Sequence, residues 1–175
     1  RTHSLYKFGQ GVSWFLRGLG KKVLLANNIG MTYDAIAAIL PAERSVLTAW
    51  IGCIAYAMQI YFDFGGYSDM AIGLGKMFGF EFKKNFDHPY VSKSATEFWR
   101  RWHITLGTWL KDYVFYPVSF SGACIKLTEK AKKLGKFVAK FVPAAFALFF
   151  VWFGNGLWHG ASWKYVFYGL YYYII

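Results

Sequence analysis

The sequence predicts an all-α integral membrane protein, a multi-span helical bundle, on three observations. Uncharged residues come in long apolar blocks: 23 between Lys140 and Lys164, 18 between Arg44 and Asp63, and residues 23 to 42 carry Asp34 alone. A hydrocarbon core of about 30 Å takes roughly 20 helical residues, so three windows qualify as candidate spans. The composition is 56% hydrophobic and 22% aromatic against 17% charged. A soluble domain of this size would struggle to hide three helices that are apolar all round. Positive charge, finally, gathers outside the blocks. From Lys83 to Lys140 there are twelve Lys or Arg and four Asp or Glu, the bias of cytoplasmic loops.

The elements follow in order. Residues 1 to 22 are mixed and end in Lys21 and Lys22; from Val23 the chain is apolar as far as Pro41, interrupted by Asn27, Asn28 and Gly30, which predicts a short or broken span. Residues 45 to 62 predict a cleaner helix, with Cys53 as a small buried hydrophobe. In DFGGYSDMAIGLGKMFGF, glycines recur at 65, 66, 73, 75 and 79; they suit close helix approach in a membrane, and an interfacial loop is the other reading. Near 94–116 the signals predict one amphipathic, interfacial or re-entrant helix. Ser94 and Glu97 stand in capping-box relation. Phe98, Trp102, Leu106, Trp109, Leu110 and Tyr113 form one stripe, Glu97 and Arg101 are i,i+4 partners, and Pro117 ends the helix. Residues 126 to 140 hold six lysines and one glutamate and read first as a solvated cytoplasmic loop, second as a membrane-adhesive or docking segment. The chain begins at Arg1 without a signal peptide and ends in VFYGLYYYII, about half a span. Residues 1–175 are therefore expected to form a single partial membrane domain, an internal piece truncated at both ends.

Several chemistries are excluded. The net charge of +11 is not arranged as a nucleic-acid surface, and it suits anionic lipid instead. Cys53 and Cys124 are too few for a zinc site or a disulfide framework. Gly75-Lys76 lacks the rest of a P-loop, and Lys164 breaks the nucleophile-elbow pattern after Gly160-Ala161-Ser162. Gly73-Leu74-Gly75 follows no strand pattern, and the four histidines form no metal-binding pair. No metal is expected.

His103 and His159 remain. Either one alone reads as a satisfied structural histidine. Ionisable groups at membrane depth, however, are costly when charged and tend to be neutral, paired and functional. A neutral imidazole is what a general base must be. Two such histidines, each beside tryptophan, leave acid–base chemistry, a proton-relay transporter and a purely structural subunit all open.

The run FDFGGYSDMAIGLGKMFGFEFKKNFDHPYVSKSATEFWRRWHITLGTWLKDYVFYPV, followed by GLWHGASWKYVFYGLYY, resembles the membrane-bound O-acyltransferase family. Within that family it is most similar to the alginate O-acetyltransferase-like branch, and the resemblance runs from about residue 60 to the end and more loosely over the first sixty residues. It implies a helical bundle of that family's type in the cytoplasmic membrane. The activity it implies is transfer of an acyl group, acetyl first, from a thioester to a hydroxyl of a cell-envelope or exported polysaccharide. A D-alanyl transfer protein of teichoic acid modification is the alternative. On this sequence the resemblance implies His159 of the WHG tract and His103 of the RRWH tract as catalytic residues. Asp63, Tyr67, Asp69, Trp102, Asn155, Trp158 and Ser162 are candidates to line a substrate tunnel, and Arg100 and Arg101 to hold a donor's phosphates. The donor, acetyl-CoA or an acyl carrier, is a co-substrate, and no tightly bound cofactor is implied. The expected partners are the bilayer, the donor, and extracytoplasmic acyltransferase or polysaccharide-export proteins; nucleic acid is not among them.

Overall fold

The computed structural model describes residues 4–175. Among them are nine α-helices and no β-strand, apart from an isolated antiparallel bridge between Phe86 and Trp102. The chain packs as two compact units that divide between Trp102 and His103.

In the first unit, helix α1 (Leu5–Gly20) starts where the Ser4 hydroxyl accepts the Lys7 N–H. It runs without interruption through a π-helical stretch, Lys21–Ala26, into α2 (Asn27–Ala37). The window from 23 to 42 is therefore not short or broken, as expected from its asparagines and glycine, but the later part of one continuous helical run. Asn28 does not break that run because its amide donates back to the Leu24 carbonyl (2.8 Å) inside the helix. Arg44 closes the far end by donating to the carbonyls of Ala37 (2.6 Å) and Ile39 (2.8 Å).

Helix α3 (Val46–Met77) begins where the Ser45 hydroxyl accepts the Thr48 N–H. It continues straight through the glycine-rich tract, so that tract is helix and not an interfacial loop. The glycines are needed for contact with α1. A Cβ on Gly18 would come within 2.5 Å of the Gly66 carbonyl, and one on Gly11 within 2.6 Å of the Gly73 carbonyl. Each pair is seven residues apart on its own helix, two turns along one face, so α1 and α3 meet antiparallel with their backbones touching. Cys53 is exposed on α3, not buried as expected, because this face of the helix is left uncovered among the described residues.

The segment 78–94 folds back along α3. Pro89 is fully buried, the Tyr90 hydroxyl donates to the Ala57 carbonyl (2.7 Å), and Asn85 donates to the buried Ser68 hydroxyl (3.2 Å). Helix α4 (Ala95–Arg101) carries the predicted cap: the Glu97 N–H donates to Ser94 Oγ at 3.1 Å. The Glu97 carboxylate reaches back one residue beyond the N-cap, to the Lys93 N–H (2.9 Å). Its i,i+4 pair with Arg101 forms, at 2.9 Å.

The expected single helix near 94–116 is broken. Trp102 is extended and His103 is left-handed (φ 45°, ψ 53°). The stripe from Phe98 to Tyr113 therefore does not lie on one helix. What breaks it is the Trp102 indole, which packs against Phe86 (5.0 Å), Phe98 (5.6 Å), Tyr90 (6.2 Å) and Tyr61 (6.4 Å). The Asp87 N–H adds a bond to the Arg101 carbonyl (3.0 Å).

The second unit opens with α5 (Ile104–Leu110), a π-helical stretch (Lys111–Phe115) and α6 (Tyr116–Ser119). Pro117 does not end the helical run. It occupies the first turn of α6, where its missing N–H costs nothing. Residues 126 to 140 are mostly helical and not a loop. They fall in α7 (Gly122–Lys132) and the start of α8 (Lys136–His159), with Cys124 and Ala131 of α7 buried. Helix α9 (Trp163–Ile174) returns along α8, and the two touch through glycine: a Cβ on Gly156 would meet the Tyr165 carbonyl, and one on Gly169 the Trp152 carbonyl.

Among the described residues, α3 and α8 are the helices long and apolar enough to cross a membrane. Only 11% and 6% of their most apolar windows are buried within the chain. These helices are greasy without being a protein core, as expected where lipid or further membrane helices cover them.

Candidate active site

The second unit brings both candidate histidines to one indole. The His103 ring lies 5.5 Å from Trp158, and the Trp158 ring lies 5.0 Å from His159. His103 is placed by the chain break: as the residue before α5 it adopts the left-handed conformation, rare outside glycine although histidine tolerates it better than most. His159 is placed by the end of α8. Gly160 follows at φ 151°, and a Cβ there would come within 2.6 Å of the Tyr165 ring, so the turn requires glycine. The turn returns the chain into α9, whose Tyr168 and Tyr165 rings lie 5.3 and 6.2 Å from His159.

His103, Thr105, Leu106, Trp109 and Trp158 line an open cleft of about 420 Å³. The lining is mostly apolar, and its residues carry an imidazole, a hydroxyl and two indole N–H groups as polar functions. Burial pushes the His103 imidazole well below its ordinary value, to about 4, and the neighbouring His159 adds to the shift by disfavouring a second positive charge. His103 is therefore neutral at pH 7, able to accept a proton or to orient a partner through a ring nitrogen. His159, at the end of the span, is exposed on this chain although the Trp158, Tyr165 and Tyr168 rings flank its imidazole.

The other candidates are placed as follows. Trp158 is in ring contact with both imidazoles. Asn155 is buried in α8, one turn before His159, whereas Ser162 is exposed at the N-cap of α9, where its carbonyl accepts the Tyr165 N–H (2.9 Å). The remaining candidates belong to the first unit. Asp69, with its side chain 15% exposed, pairs with Lys21 at 2.6 Å, and Asp63 pairs with Lys22; both lysines come from the π-helical stretch. Tyr67 is exposed. Trp102 is held in its aromatic cluster. The Arg101 guanidinium is engaged by Glu97 and by the Asp87 carbonyl (3.1 Å), while Arg100 is exposed and its charge acts on Glu97. The Lys93 N–H and then Arg101 hold the Glu97 carboxyl below its usual range. Among the described residues, no three His, Cys, Asp or Glu side chains cluster as a metal site.

Sequence reasoning placed Leu106 and Trp109 only on an apolar stripe and not in a cleft, and did not single out Thr105, or Tyr165 and Tyr168 beside His159. The tyrosines carried a usable signal. They lie six and nine residues after His159, across a Gly-Ala-Ser turn that reverses the chain.

Comparison with known proteins gives a consistent set. A model of the membrane-bound O-acyltransferase family matches residues 4–131, a stretch that includes His103 and stops before His159. A protein of Pseudomonas syringae pv. tomato named probable alginate O-acetylase is 44% identical over 169 residues, 97% of this chain and 29% of that protein. A peptidoglycan O-acetyltransferase of Helicobacter pylori is 36% identical over 160 residues, covering 91% of this chain and 27% of its own length. A teichoic acid D-alanyltransferase of Bacillus subtilis is 35% identical over 138 residues, 78% of this chain and 33% of that protein. The chain thus spans about 30% of the length of the curated relatives it matches.

Proposed function

This chain belongs to the membrane-bound O-acyltransferase family, and from that premise we propose that the whole protein moves an acyl group, acetyl first, from a thioester donor to a hydroxyl of a cell-envelope or exported polysaccharide. The observation that carries the reading is the pair of imidazoles that both touch Trp158, beside a mostly apolar cleft. Identity above 40% over nearly the whole chain to proteins named for alginate O-acetylation favours acetyl transfer to a polysaccharide. In this reading both units are parts of one multi-span domain of the cytoplasmic membrane, the donor is acetyl-CoA or an acyl carrier, and export-side proteins receive or deliver the substrate.

The chemistry assigns His159 as general base and His103 as the group that orients it or polarises the carbonyl. The acceptor hydroxyl loses its proton to His159 as its oxygen attacks the thioester carbonyl. The C–S bond then breaks, and the thiolate takes the proton back to leave as a thiol. General-base removal is worth about 10²–10⁴-fold in rate. His159→Ala in the full-length membrane protein is therefore expected to lower acyl transfer by that factor, with His103→Ala also strongly impaired. Thioester consumption and ester formation in reconstituted vesicles measure both. Undiminished acetylation in His159→Ala would overturn the reading. D-alanyl transfer is the second reading, supported by similarity to proteins of that name, and supplying the two kinds of donor in the same assay separates them.

A further inference from the structure

The lysine-rich segment takes no part in the proposed chemistry, yet it is built with two distinct faces. Helix α7 turns Cys124, Leu127, Thr128 and Ala131 inward, spaced as one helical stripe, and the Cys124 thiol lies 3.8 Å from the Pro143 carbonyl of α8. Lys126, Lys130 and Lys133 line the opposite side at four- and three-residue steps, all exposed. The single acidic residue of the segment, Glu129, is spent on Lys132 at 2.7 Å. The row therefore carries uncompensated positive charge. Beside it the surface is apolar: Ile125 is 53% exposed, Leu134 73% and Phe137 77%. Phe137 stacks on Phe141 (5.7 Å), and from there α8 continues as the most apolar helix of the chain.

We propose that α7 and the first turns of α8, against which α7 folds back, form a binding surface for anionic phospholipid headgroups. Lysines with long apolar stems, next to exposed aliphatic and aromatic side chains at the foot of a membrane-length helix, match a headgroup layer in both charge and polarity. The continuity with α8 selects lipid as the occupant. A soluble acidic protein would complement the lysines but would leave Leu134 and Phe137 at the edge of the bilayer without a role. The inference is independent of acyl transfer, since it concerns how this face meets the membrane.

The test uses the full-length protein in mixed micelles, with phosphatidylglycerol and phosphatidylcholine competing for binding and native mass spectrometry counting the lipids retained. The combined variant Lys126→Gln, Lys130→Gln and Lys133→Gln is expected to lose preference for phosphatidylglycerol by about fivefold per lysine removed. The control Lys83→Gln, Lys84→Gln and Lys93→Gln removes equal charge elsewhere and is expected to keep the preference. In vesicles, a spin label at Leu134→Cys is expected to be shielded from a water-soluble relaxation agent when phosphatidylglycerol is present, and less so in phosphatidylcholine alone. The proposal is overturned if the two triple variants behave alike, if shielding is independent of lipid charge, or if shielding requires an added acidic protein.

Discussion

At the scale of the residue, His103 makes a prediction with a definite sign. Its folded value, about 4, lies below the ordinary 6.5. Between those two values the unfolded chain binds a proton that the folded chain does not. The stability tied to neutral His103 is thus complete above pH 6.5 and is lost as pH falls towards 4. Thermal unfolding of the full-length protein should show this loss, and His103→Gln should flatten it across that window alone. An unchanged slope would mean that His103 is not held neutral. Both histidines were legible as candidates because imidazoles are conspicuous in apolar sequence. Their approach to a shared tryptophan was not, since it depends on a left-handed turn at His103 that no local pattern announces.

At the scale of the element, two adjacent glycines on α3 should respond in opposite directions. A Cβ on Gly65 meets only the Phe86 ring, at 4.0 Å, so Gly65→Ala should gain up to about 1 kcal/mol from helix propensity. A Cβ on Gly66 would lie 2.7 Å from the Gly18 carbonyl. Gly66→Ala should therefore lose about 1–3 kcal/mol through overpacking against a backbone that cannot step aside. Melting temperatures of the two variants in one detergent decide it, and equal effects would mean that α1 and α3 do not meet there. The glycine repeat told in advance that helices approach closely, but not which glycine faces which. The break at Trp102 was hidden for a related reason. Trp102 satisfied the helical stripe by spacing, and only its clustering with Tyr61, Phe86 and Tyr90, distant in sequence, takes it out of the helix.

At the scale of the whole molecule, the helical class and two of the membrane-length windows were legible because they depend on composition over long blocks. The start of the third window was not legible, because its apolar residues continue a helix begun at Leu5 instead of starting a new one. The sparse burial of α3 and α8 implies that the full-length protein stays with the membrane. Alkaline carbonate washing of membranes should leave it in the pellet, and release into the supernatant would mean that those helices are covered by soluble protein instead.

The π-helical stretch from Lys21 to Ala26 has an angular consequence. Regular helix advances about 100° per residue, so Gly30 would stand about 120° around from Gly18, pointing away from α3. A wide turn absorbs one residue's worth of rotation, and Gly30 accordingly faces α3, where a Cβ would meet the Gln59 amide at 2.7 Å. Deleting the exposed Leu24 should close the wide turn into regular helix and leave the direction of α2 unaltered. Replacing Leu24 by alanine should leave the wide turn in place. The deletion therefore places the inserted residue within this stretch if the α2–α3 contact survives, as read by cross-linking of Gly30→Cys with Gln59→Cys, and loss of the cross-link shows that α1 and α2 are phased by something else.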